Sequence, residues 1–377
     1  MSVSGMEAVC DLRKLEKAYR KVMHGKRGKT AAIRFSINVL EGLCVLKWQL
    51  EHRTYSLGEY TEFSVERPVH RDVKTCALKD KIVLGSLSKN ELWPKISPHL
   101  IDDNYASRVG MGTHLALDRL EANLHRHYIN HGTQGYVLRI DVKKYFYNLP
   151  HDAVMDNFRK YGFDDWTLWL CRTILDSSNH SVKHGYIDHD RRGNMTVSFF
   201  DMIGAPSLEV GSPIGNETSQ VFAVEYISSI DHFIKDQLGV KAYGRYMDDS
   251  YIIHHDRQYL EWVLKEVEKR YNDLGLELNH KTQIQPLKNG VPFLGMHLYL
   301  TDTGKVIRRL RPANVRYARV HIKENAKAVA NGSMTVESFW NRYKAWDNHA
   351  SYADAKHIRR QMLQYAKEEI ANAQNSQ

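Results

Sequence analysis

Three pairs of adjacent aspartates occur in the sequence, Asp102-Asp103, Asp164-Asp165 and Asp248-Asp249. Only the last lies between two β-rich runs, Lys241-Ala-Tyr-Gly-Arg-Tyr-Met247 and Ser250-Tyr-Ile-Ile-His254, which places it at a hairpin tip with its carboxylates pushed outward. A third acid, Asp141, ends the run Tyr136-Val-Leu-Arg-Ile140 and precedes Val142-Lys-Lys-Tyr-Phe-Tyr147. If the two strands are neighbours in one sheet, three carboxylates converge. Two like charges about 4 Å apart at an effective dielectric of about 20 repel by about 4 kcal/mol, so such a cluster requires cations. Hard oxygen donors select Mg²⁺ or Mn²⁺. Two such ions about 3.5–4 Å apart serve in-line phosphoryl transfer, one activating a 3′ hydroxyl and the other holding the leaving pyrophosphate. The chemistry implied is nucleotidyl transfer. A solvated turn and an ordinary strand-end acid remain the alternative on these residues alone.

The surrounding elements must bring these acids together. Between residues 135 and 300 short strands (Tyr136 to Val142, Ala242 to Met247, Tyr251 to His254, Phe293 to Leu300) alternate with helices, an α+β arrangement. Glu217 to Leu238 reads as one helix striped by Ala223, Ile227, Ile230 and Ile234. Upstream, a basic amphipathic helix ends near Gly25, a second helix spans 31–51, and a hairpin over 62–84 runs into a helix. Gly110 and Gly112 open a further helix, and beyond residue 305 the chain reads as helical and basic.

Composition narrows the partners. Lys plus Arg number 53 against 44 Asp plus Glu, a net charge of +9, which favours a polyanion. Eight basic residues stand between Asp11 and Lys29 against two acids, and seven between Val306 and Lys327 (Arg308, Arg309, Arg311, Arg316, Arg319, Lys323, Lys327) against Glu324 alone. The second stretch suits the phosphates of a nucleic-acid duplex, and the first suits structured RNA or a protein subunit. Every apolar run is shorter than the roughly 18–20 residues of a membrane span, so no membrane is expected. The four cysteines, Cys10, Cys44, Cys76 and Cys171, form no CxxC pair, which fits a reducing cytoplasm. His180, His184, His189 and Asp190 match no zinc spacing and read as surface residues.

Tyr246-Met-Asp-Asp249 between strands resembles the YxDD motif of reverse transcriptases. Leu138-Arg-Ile-Asp-Val-Lys-Lys-Tyr-Phe-Tyr147 resembles the first palm motif of that family, and Gly211-Ser-Pro-Ile-Gly-Asn-Glu-Thr-Ser-Gln220 its middle motif. Leu276-Glu-Leu-Asn-His-Lys-Thr282 and Val291-Pro-Phe-Leu-Gly295 are similar to the two that follow. The resemblance implies a right-hand polymerase: N-terminal helices and fingers over 1–134, a palm of antiparallel sheet and helices over 135–300, and a helical basic thumb over 301–377. It implies two Mg²⁺ (or Mn²⁺) ions held by Asp141, Asp248, the Val142 carbonyl and, more weakly, Asp249, with dNTP substrates and an RNA template copied through an RNA–DNA hybrid. Lys281 would protonate the leaving pyrophosphate. Arg71, Lys79 and Lys81 would contact the triphosphate, Phe146 would act as a steric gate against a 2′ hydroxyl, and Gly215 would give a base or nucleotide room near the backbone. Phe293-Leu294-Gly295 would belong to a primer grip. The residues from 301 to 377 are too few for a thumb plus an RNase H domain.

Where many relatives carry QGxxxSP, this chain has Ile214-Gly215-Asn-Glu-Thr-Ser219-Gln220, which resembles the enzymes of prokaryotic diversity-generating retroelements. An apolar Ile214 removes hydrogen bonds near the nascent pair and implies error-prone copying opposite adenine. That subgroup implies a small helical-bundle accessory subunit. Antiviral defence, an RNA polymerase and a catalytically idle RNA-binding scaffold are the competing expectations.

Overall fold

The computed structural model describes residues 4–26, 28–65, 71–177, 188–189, 195–196 and 209–375. Its strands are β1 (Thr61–Val65), β2 (Arg71–Thr75), β3 (Tyr136–Asp141), β4 (Asp188–His189), β5 (Met195–Thr196), β6 (Tyr243–Tyr246), β7 (Asp249–His254), β8 (Gln283–Pro286), β9 (Val291–Phe293), β10 (Met296–Leu300) and β11 (Val306–Leu310). The stretch with His180, His184 and Asp190 lies outside the described residues, as does the His189 side chain.

An antiparallel sheet in the order β6-β7-β3-β8 organises the centre. Side chains alternate across a strand, so β3 and β7 each feed two cores. Leu138, Ile140 and Ile252 join the main core with residues of the helices Leu78–Leu87, Asp165–Asp176, Glu217–Tyr226 and Arg257–Asp273. Val137, Tyr251 and Ile253 face a second core with Leu117, Leu120 and Leu124 of the Thr113–His131 helix and with the β11-β10-β9 sheet. Enclosure on both faces fixes the strand register, because a one-residue slip would exchange the two sets of side chains. A third core, including Ile322, Phe339, Met362 and Ile370, joins the three C-terminal helices Pro312–Ala330, Val336–Ala350 and Lys356–Asn375.

Four expected elements differ. The helix expected over 217–238 is broken after Tyr226 and continues as Ser228–His232 and a wider turn at Phe233–Gln237. The helix expected over 31–51 is two, Thr30–Ile37 and Val39–Glu51, divided at Asn38, whose side chain bonds Glu41. The strand expected over 293–300 is two, β9 and β10, reversed through Leu294 and Gly295, both at positive φ (45° and 83°). Residues 306–310, read as the start of a helical region, form β11 instead. Val306, Ile307 and Leu310 pack like strand residues there, and Arg308 is drawn sideways to Asp118 and Glu121 of the Thr113–His131 helix (2.7 and 2.5 Å). No helix among the described residues is long and apolar enough to cross a membrane.

Candidate active site

The pairing of β3 with β7 sets Asp141 directly opposite Asp249. Directly opposed residues of an antiparallel pair have Cα atoms about 4.5–5.5 Å apart and side chains on one face. Tyr246 pairs with Asp249 across the β6–β7 hairpin, which leaves Met247 and Asp248 as its two-residue turn. Met247 has φ 56°, a left-handed conformation that costs a non-glycine residue free energy and persists only where surrounding contacts enforce it.

The enforcing contact is a buried guanidinium. Arg245, 1% exposed, donates from Nη1 to the Met247 carbonyl (3.0 Å) and from Nη2 to the Val224 carbonyl (2.9 Å). Its Nε and Nη2 bond the buried Asp231 carboxylate at 2.7 and 2.6 Å, and the Tyr243 hydroxyl donates to the same acid. The turn bearing Asp248 is therefore held from beneath by a closed ionic network. Sequence reading missed this pair, since Asp231 and Arg245 lie on separate elements and each passes for a surface charge.

Asp249 turns toward Arg139, whose Nη2 lies 3.9 Å from its Oδ1. Burial pushes the Asp249 carboxyl up to about 6; Arg139 and Arg311 pull it down, and the charges of Asp248 and Asp141 raise it. Burial likewise raises Asp141, against Lys281, Arg139 and His280. Among the described residues, Asp249 Oδ1, Arg139 Nε and Arg311 Nε are buried without a hydrogen-bond partner. Mutually repelling hard-oxygen donors, one of them an orphaned carboxylate oxygen, are what a divalent cation completes. Asp141, Asp248 and Asp249 are the residues that would hold such an ion.

The segment after β7 clamps Asp141. The Asn279 N–H and the Thr282 hydroxyl donate to the Asp141 carbonyl (2.7 and 3.2 Å), and the Asp141 N–H donates to the Thr282 hydroxyl (3.1 Å). Val142 bridges Leu278 in antiparallel fashion, with the Lys143 N–H bonded to the Glu277 carbonyl. The same clamp delivers Lys281, whose Nζ stands 3.9 Å from Asp141 Oδ2 with its side chain 61% exposed. Lys281, Asp141, Val142, Asp248 and Asp249 are thus brought together.

The other expected residues form a second group. Phe146 lies in a 3₁₀ turn, and its carbonyl accepts the Ser212 N–H (2.7 Å), which ties it to the middle motif. The Ile214 carbonyl accepts the Lys74 N–H of β2 (3.1 Å). Gly215 has φ 126°, and a Cβ there would lie 2.6 Å from the Lys74 carbonyl, so the neighbour that requires glycine is β2 itself. Gln220 accepts from the Ser107 hydroxyl (2.8 Å). Arg71 begins β2; Lys79 and Lys81 lie in the first turn of the Leu78–Leu87 helix. Burial lowers the Lys81 ammonium, aided by Lys26 and Lys29.

The remaining acid pairs have structural duties. Asp103 pairs with Lys235 (2.6 Å), and Asp164 caps the Asp165–Asp176 helix. His151, Asp176 and Glu209 place ligand atoms within 4.8 Å of one another, but the Arg172 guanidinium already pairs with both acids. Of the seven C-terminal basic residues, Arg308 is paired, Arg309 lies over the Tyr299 ring (5.1 Å to the centroid) and Arg311 is half-buried near Asp249. Arg316, Arg319, Lys323 and Lys327 remain as one exposed stripe at helical spacing.

The family model described as reverse transcriptase (RNA-dependent DNA polymerase) matches residues 78–298. The chain belongs to the reverse transcriptase family. The match spans β3, β7, the β6–β7 turn and Lys281, and the fold is the right hand of that family. Among solved structures, telomerase from Candida albicans in complex with a fragment of telomeric RNA is similar at 13% identity, covering 85% of this chain and 55% of that one, with a TM-score of 0.49. Apo telomerase from Candida tropicalis is similar at 11% identity, covering 89% and 67%, with a TM-score of 0.47. The chain thus spans about half the length of the first of these. No curated protein sequence matches it.

Proposed function

We propose that this reverse transcriptase is an RNA-directed DNA polymerase that copies an RNA template into cDNA from dNTPs. The observation that carries the reading is the register of β3 against β7, which seats Asp141 opposite Asp249 with Asp248 in the adjoining turn. Asp141 and Asp248 would hold two Mg²⁺, or Mn²⁺, with Asp249 as a weaker ligand and the Val142 carbonyl as a further one. Ions bound there make a 3′ hydroxyl more acidic and neutralise charge on the leaving pyrophosphate. Lys281 supplies the proton to that pyrophosphate, Phe146 excludes a 2′ hydroxyl, and Arg71, Lys79 and Lys81 hold the triphosphate. The division into fingers (1–134), palm (135–300) and thumb (301–377) belongs to the same reading.

Primer extension on an RNA template tests it. Incorporation of dNTPs that falls by about 10³-fold or more in Asp248→Asn supports the polymerase; undiminished incorporation removes Asp248 from the chemistry, and none in the parent with any template leaves the idle RNA-binding scaffold.

Ile214 and Gln220 in the middle motif support an error-prone enzyme of the diversity-generating type. Ile214→Gln is expected to lower misincorporation opposite adenine. A copurifying RNA with a template repeat favours diversification, whereas a short repetitive cDNA favours antiviral defence. An accessory protein subunit is supported by the apolar side chains that the Thr30–Ile37 and Val39–Glu51 helices expose, among them Ile37 (73%), Leu40 (70%) and Trp48 (55%). A cytoplasmic site of action completes the reading.

A further inference from the structure

A cavity of about 390 Å³ opens between the Pro312–Ala330 and Val336–Ala350 helices, inside the roughly 300–1,000 Å³ range of small-molecule sites. Tyr317, Phe339, Tyr343 and Trp346 supply aromatic walls; Asn314 gives its amide N–H to the Gly295 carbonyl and Asn325 Oδ1 accepts from Arg342 Nη1 (2.7 Å), so the Asn314 oxygen and the second Asn325 amide group are what they offer an occupant. Among the described residues the Trp346 Nε1 atom is buried with no hydrogen-bond acceptor, an unmet donor on a residue that lines the cavity. An occupant with a flat face and acceptors on its edge would meet both needs.

The position of the cavity narrows the occupant. Asn314, at one end, donates to the Gly295 carbonyl in the β9–β10 turn (2.9 Å). Phe293, two residues before that turn glycine, packs edge-on against Tyr251 of β7 at 5.2 Å between ring centroids. Asn314 also lies three residues, about one helical turn, beyond Arg311, which acts electrostatically on Asp249. These contacts link the Asn314 end of the cavity, through the β9–β10 turn and Phe293, to the β7 strand that carries Asp249. The exposed stripe of Arg316, Arg319, Lys323 and Lys327 falls on the opposite face of the same helix, so this cavity reads bases rather than phosphates.

We propose that the cavity is a nucleobase pocket that takes one unstacked base of a single-stranded segment beside the polymerising end. The proposal rests on the polymerase reading only for the direction from which the strand arrives. Base–aromatic stacking supplies the affinity, Trp346 Nε1, the Asn314 oxygen and the Asn325 amide N–H meet the base edge, and the exposed Arg342, which bonds Asn325 Oδ1, stands at the rim as the charge for the attached phosphate.

The full chain labelled with 5-fluorotryptophan gives one ¹⁹F signal for each of seven tryptophans, and the Trp346 signal is the one missing in Trp346→Phe. A single-stranded RNA hexamer is expected to shift that signal saturably, and the same hexamer made abasic is not. Ala318→Phe, which fills the cavity, and Asn325→Ala are expected to weaken the effect about five- to hundredfold, the range of one lost base stack. A hexamer that binds by fluorescence anisotropy while the Trp346 signal stays still, or an abasic strand that shifts it equally, overturns the proposal. Incorporation assayed separately with Asp248→Asn keeps a failure here distinct from a failure of the polymerase reading.

Discussion

The β6–β7 hairpin is enclosed by core on both faces and braced by the fully buried Arg245–Asp231 pair, whereas β1 and β2 form a two-stranded ladder whose Lys74 N–H bonds the Ile214 carbonyl. A two-stranded unit has little stability of its own. The comparison separates two tasks. On the reading proposed above, Asp141 and Asp248 would meet a cation at positions that the core fixes, whereas Arg71 would meet a triphosphate from the two-stranded ladder and Lys79 and Lys81 from the Leu78–Leu87 helix that follows it.

The largest effect that would break this comparison is expected at the brace. Arg245→Met leaves Asp231 buried and unpaired, which should cost about 3–5 kcal/mol in denaturant unfolding. Adding Asp231→Leu should recover much of that loss; a single variant as stable as the parent would show that the brace is dispensable. Next is Lys281, which acts on the hairpin side but from an exposed position. Lys281→Ala should slow single-turnover incorporation by about 10²-fold with template binding unchanged, and an unchanged rate would remove it from the chemistry.

A pH effect sharpens the picture of the core beneath the hairpin. Burial pushes the Glu225 carboxyl up to about 8 from its ordinary 4.5, opposed by hydrogen bonds from Tyr161 and Asn157. Between those values the unfolded chain ionises and the folded one keeps its proton, so stability falls as pH rises from about 4.5 to about 8. Glu225→Gln should flatten that fall in thermal melts; an identical slope would place the titration elsewhere. The smallest effect is expected at the Leu78–Leu87 helix: Lys79→Ala and Lys81→Ala should each raise the dNTP KM by about three- to tenfold, the loss of one half-buried charge contact. A loss as deep as that at Asp248 would mean that the two sides are fixed alike.

The legibility of these regions in the sequence follows from the same difference. β3, β7 and the turn between β6 and β7 were readable because alternating apolar residues end at acids, a local pattern of period two. The strand β11 was hidden because Arg308 and Arg309 dominate its five residues and its partner acids lie on the Thr113–His131 helix. Leu294 and Gly295 reverse the chain within what looks like one apolar run. Arg245 with Asp231, and Arg139 and Arg311 around Asp249, are contacts between distant elements, and no spacing announces them. The reason for glycine at position 215 also belongs to tertiary structure, since the approaching group is the Lys74 carbonyl.

The central claim is that Asp141, Asp248 and Asp249 jointly seat divalent ions. Electron paramagnetic resonance of Mn²⁺ titrated into the protein with a template–primer and a dNTP measures this directly. The parent is expected to bind two Mn²⁺ at the site, and Asp141→Asn combined with Asp248→Asn to bind neither while keeping the fold. Equal Mn²⁺ occupancy in the double variant would contradict the account.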